Sequence, residues 1–453
     1  MQTKRIEASV LLKRFPTLLV CGCCLCPRVS GAADITITHL IDSNAWMVEY
    51  ELPEPVQELL FVRNQSAFRS TSWELSEGHV EFSRKGDYEI VRGLDGESFD
   101  SFSILAPSLP QFLPKDYSQN YLFTDGSHLL FTGHFIVAEN STDPVEYSLR
   151  LTPGKSEGIV VRGRYYDSTA TISDPGDDGL FAYFGALKPL QNENYIAVLD
   201  PGLPDWLAGL LPEYLPSLFD FYASRLGDQL TSRPSIYFSF GDGESETTHF
   251  NGGALLDGTY QLRATGRAWN EPDLFLRSMV AASIAHESVH LWNGHVTASD
   301  KNEGASWMHE GGAEILAWRA MRELGYLSKD EFDTELGEAY DSCVAGLGGR
   351  SLISVAKTGE YQLLYSCGAV IGRASDLSLQ QNGSDIFAFW RRLINVAVGS
   401  KSFSQQTYFD LLLEMGEDDE LVAALQELVF ESHGRTGDQL DKVYASVGAV
   451  APR

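Results

Sequence analysis

The residue pattern predicts a multidomain α+β chain with three zones: an antiparallel β-sandwich, a mixed segment of strands and long helices, and a helical end. Two observations carry this. Short β-branched or aromatic runs, separated by turn-forming residues, fill residues 34 to about 165. Long helical patterns with start and stop signals dominate from about 205 onward. At 453 residues the chain has room for two or three separate cores.

Residues 1–33 read as an export signal. Lys4, Arg5, Lys13 and Arg14 precede an apolar run from Phe15 to Cys26, and Ser30-Gly31-Ala32-Ala33 offers small residues for cleavage. The run is too short to span a bilayer, and no other stretch is long enough. The expectation is an exported protein, periplasmic or extracellular. Val20-Cys21-Gly22-Cys23 is only loosely similar to a lipoprotein signal, so lipid anchoring is the minor alternative.

The sandwich is assigned to residues 34–178. Thr36-Ile37-Thr38, Trp46 to Tyr50, His128 to Phe131, Val145-Glu146-Tyr147 and Ile159-Val160-Val161 are its strand candidates, with Pro53 and Pro55 marking one boundary. Asp174 to Gly179 is an irregular loop near the junction. Residues 179–327 form the mixed segment. A helix covers Trp206 to Arg225, and Ser235 to Phe240 is a short apolar strand. Pro272-Asp273 opens a further helix that runs to Trp292, with Asn293-Gly294 just past its end. Its apolar residues Leu276, Val280, Ala281, Ile284, Ala285 and Val289 point in several directions, so the helix should be buried. Another helix runs from near Met308 to Leu324 and stops at Gly325; residues 328–453 are mostly helical.

Hydrophobic residues make up 43% and charged residues 21%, which is ordinary for a soluble globular protein. The formal net charge of −28 is not. It argues against nucleic acid and anionic membrane surfaces as partners. Four of the six cysteines fall inside the export signal. Cys343 and Cys367 remain and could bridge two helices in an oxidising compartment, a pairing that spacing leaves open.

Chemistry concentrates at His286-Glu287-Ser288-Val289-His290, followed after nineteen residues by Glu310. Imidazoles four apart on a helix share one face and can hold a single zinc ion. Glu287 sits about 100° round the helix from His286, beside the metal, where it can take a proton from water. A buried helix makes these polar groups expensive unless they are paired or hold a metal. Glu303 competes for the third ligand position, but it follows His290 too closely to turn and start a new helix, so Glu310 is the candidate. Glu314, one turn on, could accept the remaining N–H of a ligating histidine. His295 and His309 are read as neighbours of the site, because two histidines, one glutamate and water complete a catalytic zinc.

His286 to Asn293 (His-Glu-Ser-Val-His-Leu-Trp-Asn) resembles the glycyl aminopeptidase family, and more distantly the aminopeptidase N and leukotriene A4 hydrolase group and thermolysin. Tyr365-Ser366-Cys367-Gly368-Ala369 is similar to the Tyr-x-x-Gly-Ala string of these families. Softer likeness extends over most of residues 34–433: Trp46, Leu52-Pro53, Trp73, Phe123 to Gly126, Gly133 to Phe135, Phe389 to Leu393 and Ser402 to Ser404. The resemblance implies a thermolysin-like zinc catalytic domain and a peptide or protein substrate. It gives Tyr365 the role of oxyanion donor and lays Asn251, Gly252, Gly253 and Ala254 along the substrate as an edge strand. One departure bears on activity. The run Gly252 to Asp257 lacks the glutamate that holds a substrate's free amino group in these families, and Asp257 is a weak stand-in. Exo- and endopeptidase action both stay open, as do a peptide-binding, chaperone-like protein of this fold and a zinc hydrolase of a non-peptide amide or epoxide.

Overall fold

The computed structural model describes residues 32–63, 68–108, 120–139, 143–227, 230, 232–255, 258–297, 306–355, 357–400, 404–432 and 434–452. Residues 1–31 of the expected export signal lie outside this set.

The amino-terminal part is built on alternation. In Ala33–Leu40, Ala33, Ile35 and Ile37 are buried while Asp34 is exposed, so one face meets a core and the other meets water. This strand belongs to a six-stranded sheet in the order Ala170–Ile172, Tyr147–Thr152, Ala33–Leu40, Ala45–Val56, Phe99–Pro107, Glu74–Leu75. A four-stranded sheet in the order Val137–Ala138, Glu58–Phe61, Tyr88–Gly93, Val80–Lys85 joins it around Trp46, Phe61, Val91, Phe102 and Leu149. The sandwich is not wholly antiparallel, as the sequence suggested. Ala33–Leu40 pairs in parallel with Tyr147–Thr152, a strand the chain reaches only after a long excursion, so no hairpin constrains its direction. Pro53 and Pro55 do not end a strand either. They sit inside Ala45–Val56 where the pairing register shifts between Glu51 and Val56, a place that tolerates a missing N–H donor.

A third sheet, in the order Arg164–Tyr166, Gly158–Val161, Phe181–Gly185, His128–Phe131, Tyr121–Leu122, is the seam between the parts. Its central strands are buried on both faces: Ile159, Val161 and Phe184 meet the first core, whereas Val160, Phe181 and Tyr183 meet Ile196, Val198 and Tyr237 of the next sheet. The Tyr237 hydroxyl donates to the Val160 carbonyl at 2.8 Å. Buried Asp200 accepts the Phe240 N–H at 2.9 Å and the Thr124 N–H at 3.1 Å, which ties both parts to one carboxylate.

That next sheet runs Leu190–Gln191, Ile196–Leu199, Ser235–Phe240, Thr259–Thr265, His249–Leu255. Its three middle strands are parallel and both outer strands are antiparallel to their neighbours. The helices are α1 (Phe68–Ser72), α2 (Asp205–Leu226), α3 (Leu274–Thr297), α4 (Ser306–Leu324), α5 (Lys329–Leu347), α6 (Leu352–Val355), α7 (Gln362–Gln381), α8 (Ile386–Ser400), α9 (Gln405–Gly416), α10 (Asp419–Phe430) and α11 (Thr436–Ser446). Phe238, Tyr260 and Leu262 of the sheet share one core with α2, α3 and the later helices. Tyr214 and Tyr222 of α2 donate to the Ala281 and Ala285 carbonyls of α3 at 2.9 and 3.1 Å, fixing α3 against its neighbour. A disulfide joins Cys343 of α5 to Cys367 of α7.

Candidate metal centre

The site is assembled on α3, α4 and α7. Val280, Ile284, Ala285 and Val289 are buried, so α3 is held on several sides, and its His286, His290 and Asn293 face α4. The helix does not stop at Trp292. It continues to Thr297, and Asn293 lies within it, fully buried, three residues after His290 and on the same side. Asn293 can occupy a helix interior because its side chain is engaged elsewhere. Its amide N–H donates to the His309 carbonyl at 2.8 Å, and Oδ1 faces His290 Nδ1 at 3.1 Å. Since that oxygen can only accept, Nδ1 of His290 donates to it, which turns Nε2 toward His286 and Glu310.

Glycines set the distance between α4 and α7. A Cβ on Gly311 would lie 2.2 Å from the Gly368 Cα, and one on Gly368 would lie 2.3 Å from the Trp307 carbonyl oxygen. Only two bare backbones can touch this closely. The contact places Glu310 beside Gly311 and brings Tyr365, one turn before Gly368, over the same spot.

Three ligand atoms converge there. His286 Nε2 and His290 Nε2 are 3.0 Å apart, and each is 3.3 Å from Glu310 Oε2. These three form the metal-competent group among the described residues. A tetrahedral zinc bound at about 2.0–2.2 Å to nitrogen and oxygen sets its ligand atoms roughly 3.3 Å apart, so the spacing fits that ion. The electrostatics fit as well. Glu287, Glu310 and Glu314 surround two imidazoles, and a cation, whether proton or metal, is what such a cluster favours. Burial opposes a charge on His286, yet its contacts with Glu310 and Glu314 raise its pKa to about 10. Burial likewise works against the Glu310 carboxylate, but hydrogen bonds with His286 and His290 hold its pKa below the usual range. Burial pushes the Glu287 carboxyl up, the two imidazoles only partly offsetting it.

The remaining candidates are placed as follows. Glu314 Oε2 is 3.7 Å from His286 Nδ1, an ion-pair separation, and that nitrogen is buried without a hydrogen-bond partner. The Tyr365 ring stacks on His286 with centroids 5.6 Å apart and planes 16° apart. His309 stacks on His290 at 4.1 Å, and burial, then the neighbouring His290, lowers its pKa to about 3. Asn251 and Gly252 are exposed, Gly253 is half-buried and Ala254 follows them in His249–Leu255, the terminal strand of its sheet, which packs against α3. Glu303, Asp257 and the side chain of His295 lie outside the described residues. Sequence reasoning missed Asn293 as the partner of His290; its spacing of three from that histidine was the available signal.

No protein-family model matches the sequence, and no curated protein matches it either. Among solved structures the chain is similar to the aminopeptidase N family protein from Idiomarina loihiensis, with a TM-score of 0.67 and 12% identity over 91% of this chain and 78% of that one. It is similar also to native yeast LTA4 hydrolase, with a TM-score of 0.52 and 12% identity over 89% of this chain and 68% of that one. At such identities the likeness is one of fold. By fold, then, the chain groups with an aminopeptidase N family protein and with LTA4 hydrolase, the wider group that its histidine motif resembles.

Proposed function

We propose that this chain is a secreted zinc metallopeptidase. The observation that carries the reading is the convergence of His286 Nε2, His290 Nε2 and Glu310 Oε2 at 3.0–3.3 Å, with Glu287 on the same helix and Tyr365 stacked against His286. A zinc ion held by His286, His290 and Glu310 would supply Lewis-acid polarisation of water and of the scissile carbonyl. Glu287 takes the proton of the attacking water and passes it to the departing amine; its raised pKa suits a group that must hold a proton between these steps. The Tyr365 phenol donates to the oxyanion of the tetrahedral carbon. Burial and the nearby Glu310 push the phenol's pKa up, so it keeps the proton it must donate. Glu314 pairs electrostatically with His286 Nδ1 at 3.7 Å, Asn293 accepts the Nδ1–H of His290, and the two orient their imidazoles.

Substrate would lie extended along Asn251, Gly252, Gly253 and Ala254, where the outer edge of a terminal strand offers backbone partners. No carboxylate stands on His249–Leu255 to grip an α-ammonium, so a free amino terminus gains no ionic anchor from this strand. Export is supported by the signal-like residues 1–33 and by the Cys343–Cys367 disulfide, which belongs to an oxidising compartment. Among the described residues no helix is long and apolar enough to cross a membrane.

The test is metal analysis together with hydrolysis of free and amino-blocked peptides, with and without a chelator. We expect stoichiometric zinc, loss of activity on chelation and recovery on adding zinc back. Glu287→Gln should retain the metal and lower kcat by about 10²–10⁴-fold. A protein without transition metal, or one whose turnover ignores both the chelator and this substitution, overturns the reading. Binding without turnover would point to the chaperone-like alternative.

A further inference from the structure

Tyr365 stacks on His286 and follows buried Leu363 and Leu364, but one flank of its turn faces open space. α7 begins at Gln362 with no capping side chain, and Tyr361 before it is exposed. Gln362 and Tyr365 line a cavity of about 210 Å³ whose opposite walls are Glu314 and Trp318 of α4 and Glu335 and Ala339 of α5. Packing therefore does not support one flank of the turn that carries the phenol, and such turns open readily. Two residues on, Cys367 is bonded to Cys343 on α5, both fully buried. The bond ties together the two helices that face each other across the cavity. On its other side α7 rests on α4 through Gly368 and Gly311.

We propose that the Cys343–Cys367 disulfide is a positioning element for Tyr365, holding the first turn of α7 so that the phenol stays stacked on His286 and aimed at the oxyanion. This rests on the reading of Tyr365 as the oxyanion donor. Misplacing such a group by about 1 Å can cost about 10²-fold in rate, so a staple that leaves the metal ligands untouched can still govern turnover. It also makes the enzyme redox-sensitive. A phosphine reductant supplies two electrons to the S–S bond, two thiols form with protons from water, and the phosphine leaves as its oxide.

The experiment compares the full zinc-loaded chain with three variants: Cys343→Ser plus Cys367→Ser, Tyr365→Phe, and all three changes together. Zinc content, thermal midpoint, kcat, KM and the affinity for a phosphonate peptide mimic of the tetrahedral state are measured. The double serine variant should keep its zinc and a KM within about twofold, and lose kcat and phosphonate affinity together by about tenfold or more. The triple variant should be no slower than Tyr365→Phe alone, because the staple acts through the phenol. A lower thermal midpoint with unchanged kcat overturns the proposal, and so do losses that multiply in the triple variant. Should the serine variant fail to fold, the folded wild-type enzyme is reduced with a phosphine and its thiols are counted by mass. Its kcat must fall in step with the reduced fraction, while Tyr365→Phe must be indifferent to the same treatment; full reduction without loss of rate overturns the idea. Tyr365→Phe that is fully active with the disulfide intact removes the oxyanion role itself, whereas an inactive Tyr365→Phe beside an unaffected serine variant removes only the positioning role.

Discussion

At the scale of single residues, Asn293 shows how one amide orients a histidine. Its N–H is committed to the His309 carbonyl, so its oxygen must receive the His290 Nδ1–H, and His290 Nε2 is turned toward His286 and Glu310. Asn293→Ala should therefore weaken zinc binding by about 10–100-fold, read by competition with a chromophoric chelator. The histidine motif itself was legible in the sequence, because four-residue spacing on a helix dictates a shared face whatever surrounds it. Glu310 was legible too, through its distance from His290. The partner role of Asn293 was not, because the Asn-Gly pair reads as a helix end. Here the helix runs on, since the buried contacts of Asn293 and of Trp292, whose indole N–H donates to the Gly227 carbonyl at 2.9 Å, hold that turn in place.

At the scale of elements, the crossing of α4 and α7 is set by what is missing. Gly368→Ala would put a methyl group 2.3 Å from the Trp307 carbonyl and 2.7 Å from the Gly311 Cα, and neither backbone can yield without parting the helices. We expect a loss of about 1–3 kcal/mol in denaturant unfolding, with turnover falling as Tyr365 moves away from the triad. Gly399 on α8 is the control. An added Cβ meets nothing within 4 Å there, and alanine should be neutral or raise stability by about 0.5–1 kcal/mol. Helix positions were readable element by element: Trp206 to Arg225 became Asp205–Leu226, and Met308 to Leu324 became Ser306–Leu324. Strands were read less completely. Phe181–Gly185 is buried throughout and lacks the alternation that marks a half-exposed strand, and it pairs with the amino-terminal strands past residue 178.

At the scale of the molecule, buried His128 in the β-rich part couples stability to pH. Burial, then the neighbouring His39, lowers the His128 pKa from 6.5 to about 4. The unfolded chain takes up this proton near 6.5 and the folded chain only near 4, so between those values the unfolded state binds more protons. Stability conferred by neutral His128 is thus complete above 6.5 and lost as the pH falls toward 4, a change on the order of 3 kcal/mol. Urea unfolding of the wild type and of His128→Leu at matched pH should show the difference between them shifting across this window. A constant difference would refute the assignment. Zinc bound to the folded state alone stabilises it by mass action, so chelation should also lower the thermal midpoint.

The sequence alone determined the kinds of group on offer: two imidazoles and a carboxylate presented by successive helices, a glutamate between the histidines, and a formal net charge of −28. Those properties follow from spacing and side-chain type, which need no knowledge of distant contacts. Tertiary structure decided the rest. Whether Tyr365 reaches His286, whether Cys343 meets Cys367, how closely α4 approaches α7, and that Ala33–Leu40 pairs in parallel with Tyr147–Thr152 all depend on residues far apart in the chain. Packing of whole elements brings such residues together, and no local periodicity records it.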